Sequence, residues 1–110
     1  MKKYFILITM LLISQNICAS EFSQDTGKVA NLYVTPGGTI AFKLSGGRAG
    51  IPNAVAKFSC TTNGGWIGHE TMKPIFESAI LAAKTAGNEI TVTIDGCEGG
   101  WFKVKDIYFN

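Results

Sequence analysis

Residues able to do covalent chemistry are few and scattered in this chain of 110. His69 is its only histidine and lies just before an amphipathic segment, where a surface or capping role suits it better than proton transfer. The acidic residues occur singly, so no spacing pairs two carboxylates for acid–base work. Ser45, Ser59 and Ser78 carry no nucleophile motif. Four Gly-Gly pairs, at 37–38, 46–47, 64–65 and 99–100, lack the strand-to-helix context of a phosphate loop and read as turn chemistry. We therefore expect no enzyme, no cofactor and no metal. Binding is better served. Trp66 lies in a Gly-rich connector and Trp101 opens the last strand. Indoles at loop edges suit stacking on sugars or filling partner pockets, and equally suit covering the end of a barrel.

The remaining chemistry-bearing pair is Cys60 and Cys97, and its reading depends on the compartment. Residues 1–20 have the layout of a secretory signal peptide: Lys2 and Lys3, then the apolar run Tyr4–Ile13, then Cys18-Ala19-Ser20. Cleavage is expected after Ser20, with Ala19 as the alternative. Cys18 would invite a lipid-anchored reading, but Ile17 precedes it where such sites need a small residue. The run is too short for a stable membrane anchor. The expected location is secreted or periplasmic, where a Cys60–Cys97 disulfide is the default and free thiols or a metal site are the alternatives. Such a bridge stabilises by roughly 3–4 kcal/mol in the chain-entropy model.

Cleavage also removes the basic balance. Without Lys2 and Lys3, the 10 Lys and Arg fall to eight, against eight Asp and Glu that all follow residue 20. A near-neutral chain has no electrostatic footprint for nucleic acid, although OB-folds do bind single strands. About 90 residues remain, one small domain with a thin core.

The clearest element is Thr71–Gly87. At the helical period Met72, Ile75, Phe76, Ala79, Ile80, Ala82, Ala83 and Ala86 form one apolar stripe. Thr71 can cap its start, Pro74 suits the first turn and Gly87 suits the left-handed residue after the last. Leu81 projects from the polar face. Strands are expected at Lys28–Thr35, Thr39–Ser45, Asn53–Cys60, Asn88–Asp95 and Trp101–Phe109, with Glu21–Thr26 as a lead-in and Thr61–Glu70 as a connector. In the last strand, Phe102 and Val104 share one phase and Ile107 and Phe109 the other, so a bulge near Lys105-Asp106 is expected. The predicted fold class is all-β with one helix: a five-stranded OB-fold barrel capped by a single α-helix between strands three and four, residues 21–110. An open α+β sheet is the alternative.

Several features in order resemble the subtilase cytotoxin B-subunit-like family of AB5 toxin B subunits, which includes the typhoid toxin B subunit. Glu21-Phe22 resembles the family's Glu-Trp mature start, and Thr26-Gly27-Lys28-Val29 the opening of its first strand. Pro36-Gly37-Gly38 and the Phe42 strand are similar to its first hairpin. Cys60, Trp66, Lys73–Leu81 and Thr85-Ala86-Gly87-Asn88 parallel its cysteine, tryptophan, helix and post-helix glycine. The resemblance implies an OB-fold homopentamer that binds host cell-surface glycans and delivers a catalytic A subunit. It implies a glycan site at Thr26, beside which Asp25 and Trp66 are further candidates. It also implies helices lining a pore, with Leu81, Lys73, Glu77 and Lys84 at the oligomer interface or pore. Where the family has an aromatic near the end of strand four this chain has Ile94, and a family cysteine near Phe42 is missing. The alternative is a secreted or periplasmic OB-fold module that binds a protein partner without catalysis.

Overall fold

The computed structural model describes residues 21–61 and 64–110, so the leader assigned to residues 1–20 lies outside the described residues. Five strands form one sheet: β1 (Ser23–Val34), β2 (Ile40–Leu44), β3 (Ile67–His69), β4 (Glu89–Glu98) and β5 (Trp101–Phe109). Two helices accompany them, α1 (Pro52–Lys57) and α2 (Pro74–Ala86). The strand order β1-β2-β3-β5-β4 closes on itself, because β4 pairs back on β1. All ladders are antiparallel except β3 with β5.

β1 makes that closure possible. Its first half, Ser23–Lys28, pairs with β4, and its second half, to Val34, pairs with β2. A register irregularity between Val29 and Asn31 divides the two halves. An extra residue there bends a strand enough to serve two neighbours. The expected lead-in Glu21–Thr26 is thus mostly strand. Its alternation is hidden because the inward residues, Ser23 and Asp25, are polar yet buried.

The expected third strand at Asn53–Cys60 is corrected. Pro52–Lys57 is instead helical and follows a 3₁₀ turn over Gly47–Gly50. Pro52 occupies the first turn, where its missing N–H costs nothing. The Asp25 carboxylate accepts from the next two amides, Asn53 N–H to Oδ1 at 3.1 Å and Ala54 N–H to Oδ2 at 3.0 Å. Those amides would otherwise be unpaired at a helix start. The true third strand, Ile67–His69, lies within the expected connector. Three residues around a glycine carry no readable alternation. So there are two described helices, not one, and the longer still falls between strands three and four.

α2 matches its prediction at the C-terminal end, where Gly87 is left-handed at φ 70° and donates to Ala83 and Lys84 carbonyls. At the other end Pro74 sits in the first turn, but Lys73, not Thr71, is the capping residue and gives no side-chain bond. The apolar stripe is only partly covered. Ile80 and Ala83 are buried, and Phe76 and Met72 pack against the core. Ile75 stays 68% exposed.

The core fills the inside of the strand ring. Ile40, Phe42 and Leu44 of β2 face Ile90, Val92 and Ile94 of β4, with Phe102 of β5, and all seven are essentially inaccessible. Each such side chain contributes about 1.5–3 kcal/mol on burial. The expected bulge in β5 is present: Thr93 pairs with Asp106 while Ile94 pairs with Val104, leaving Lys105 extra. It turns Ile107 onto the core but leaves Phe109 46% exposed.

Cys60 and Cys97 form a disulfide with a Cα–Cα distance of 5.5 Å. It ties the segment after α1 to the far end of β4. Among the described residues no helix is long and apolar enough to cross a membrane.

Candidate functional site

Thr26 stands on the outer face of β1, in a cross-strand row with Thr91 of β4 and Tyr108 of β5. Directly opposed residues share one face of a sheet, so the three side chains line up. Thr26 Oγ1 and Thr91 Oγ1 are hydrogen-bonded at 2.8 Å, and Asn110 Nδ2 donates to Thr91 Oγ1 at 3.3 Å. Two hydroxyls joined by one hydrogen bond consume one of their two hydrogens. Whichever of them donates, one O–H and at least one lone pair are left for a ligand. Tyr108, 55% exposed, adds an aromatic face and a phenol to the same row. On the neighbouring row Gln24 Nε2 donates to Thr93 Oγ1 at 3.0 Å. The surface offers hydroxyl donors and acceptors beside an aromatic ring.

Thr91, Tyr108 and Asn110 were not singled out by the sequence. Thr91 sits at an outward position of an alternating strand, as any solvent-facing threonine does. Tyr108 joins Thr26 only through the β4 ladder. Ile94 is wholly buried in the core, so the aromatic surface beside Thr26 comes from Tyr108.

The other nominated sugar residues lie elsewhere. Asp25 points inward, buried, with both carboxylate oxygens occupied by the start of α1. Trp66 lies beside Tyr33, near the far end of β1, with ring centroids 6.4 Å apart in an edge-on contact. Seven residues of strand separate Tyr33 from Thr26, roughly 20 Å. Lys43 Nζ lies 4.8 Å from the centroid of the Trp66 ring. Trp66 and Thr26 therefore do not form one site.

Lys73 at the cap of α2 and Glu77, Leu81 and Lys84 within it follow one another at helical spacing. Leu81 is 50% exposed, Lys73 and Lys84 are exposed and Glu77 is half-buried. Around the helix from them, Ile75, Ala79 and Phe109 border a shallow apolar depression.

His69 accepts the Thr71 amide at Nδ1, 3.1 Å away. The same nitrogen is 3.4 Å from Glu98 Oε2. A nitrogen accepting a backbone N–H carries no proton to share, so the first contact describes the imidazole and the second is proximity. Ser45 Oγ donates to the Lys28 carbonyl at 3.4 Å. Among the described residues no group of three or more His, Cys, Asp or Glu is arranged to hold a metal. Comparison with protein-family models, with curated proteins and with solved structures finds no match for this chain.

Proposed function

We propose that this protein is a secreted, glycan-binding B subunit of the AB5 type: an OB-fold barrel that assembles into a homopentameric ring and delivers a separate catalytic A subunit. The observation that carries the reading is the Thr26–Thr91–Tyr108 row, with an unspent hydroxyl hydrogen beside an exposed aromatic ring. Hydroxyl and aromatic surface together are what sugar recognition uses. The closed order of five strands with α2 between β3 and β4 supports the OB-fold. The disulfide suits an oxidising compartment outside the cytoplasm. Exposed Ile75 and Leu81 on α2, with Phe109 beside it, supply apolar surface for contact between copies.

A glycan array probed with the disulfide-bonded protein and with Thr26→Ala tests the site. The wild type is expected to bind a discrete set of glycans, and Thr26→Ala to weaken that binding by about tenfold, the worth of a ligand hydrogen bond. Absence of binding, or binding that Thr26→Ala leaves untouched, would contradict the proposal.

A further inference from the structure

A cleft opens at the opposite end of the ring from the Thr26 row, between the β1–β2 turn and the β4–β5 turn. Its volume is about 530 Å³, and Thr39, Glu70, Thr71, Glu98 and Trp101 line it. That size lies in the range of small-molecule sites. Seven residues of β4 separate Thr91 from Glu98, roughly 20 Å of strand, so the two surfaces are distinct.

The β4–β5 hairpin builds the cleft. Glu98 and Trp101 are paired across a two-residue turn, so their side chains leave on the same face. The turn itself, Gly99-Gly100, has no side chain to cover the indole. Trp101 is held from the side by Tyr33, edge-on at 6.3 Å, and Tyr33 leans in turn on Trp66. A buttressed ring presents its surface at little entropic cost.

The polar groups are mostly acceptors. Glu98 Oε2 takes the backbone N–H of Glu70, and its other oxygen has no donor among the described residues. The Glu70 carboxylate is exposed and also without a partner among them. Thr39 spends its hydroxyl hydrogen on the Glu70 carbonyl at 3.2 Å, which leaves its lone pairs. The Thr71 hydroxyl has no partner among the described residues. Among the described residues no lysine or arginine lines the cleft. A matching ligand therefore carries several O–H donors, an apolar C–H face for the indole, and no negative charge.

We propose that this cleft binds one uncharged pyranose unit, stacked on Trp101 with its hydroxyls donating to Glu98 and Glu70. The inference goes beyond the Thr26 site and needs neither that site nor ring assembly. Saturation-transfer NMR on the disulfide-bonded protein with methyl β-D-glucopyranoside and methyl β-D-galactopyranoside tests it. Transfer to the C–H protons of at least one pyranoside is expected in the wild type and in Thr26→Ala. Binding should weaken at least tenfold in Trp101→Ala and in Glu70→Gln, and the anionic methyl β-D-glucuronide should bind at least tenfold more weakly than its neutral twin. If Trp101→Ala does not fold, Glu70→Gln decides, since its side chain holds nothing in the fold. No transfer from the wild type, equal binding of the glucuronide, retention in Glu70→Gln, loss in Thr26→Ala, or displacement by n-butylammonium in preference to sugars would overturn the proposal.

Discussion

Replacing both Cys60 and Cys97 with serine is expected to lower the unfolding free energy by about 4 kcal/mol, the chain-entropy value for a closed loop of this length. The bridged residues are 37 apart in sequence, and the loop they close contains β3, α2 and most of β4. A domain of this size has a total margin of about 5–15 kcal/mol. The loss would fall first on β3, which is three residues long and reaches its place through the segment that begins at Cys60. Urea unfolding of the double variant should show a lower midpoint at comparable slope. A midpoint within the error of the wild type would mean that the ladders hold β3 unaided.

Asp25→Ala is expected to cost about 3 kcal/mol, although the substitution removes only a carboxylate on a strand. Two amides at the start of α1, those of Asn53 and Ala54, lose their only acceptors, and the Ala54 bond is buried. Each stranded N–H costs about 1–3 kcal/mol, and losing a helix cap about 0.5–2 kcal/mol. Asp25→Asn should fall between, because a carboxamide offers one acceptor where two donors wait. Hydrogen exchange at Asn53 and Ala54 should accelerate in both variants while β2 and β4 amides lose less protection. This prediction also separates two roles for Asp25. A variant of wild-type stability that no longer binds glycan would make Asp25 a ligand residue instead of a cap.

Asp25 also explains why the sequence was legible in some places and not in others. Where one face of a strand is wholly apolar, as in Ile40-Phe42-Leu44 or Ile90-Val92-Ile94, alternation alone marks the strand and its inward side. The α2 helix was equally plain up to the left-handed Gly87, because its signals are local, although its cap is Lys73 and not the expected Thr71. The errors arose where a long-range contact overrode the local pattern. Ala54, Ala56, Phe58 and Cys60 alternate like a strand, yet a carboxylate 28 residues before Asn53 caps Pro52–Lys57 into a helix. β3 was unreadable because pairing on both sides, not its own side chains, makes Ile67-Gly68-His69 a strand. The candidate site followed the same division. Thr26 was nominated only by the family resemblance, whereas Thr91, Tyr108 and Asn110 join it only through strand register.

The most direct test of the proposal that this is a ring-building subunit is its mass in solution, by light scattering on the disulfide-bonded chain. Exposed Ile75, Leu81 and Phe109 offer apolar surface to bury between copies, and the account predicts a single species of five times the subunit mass. A monodisperse species of one subunit mass across the accessible concentration range would contradict it.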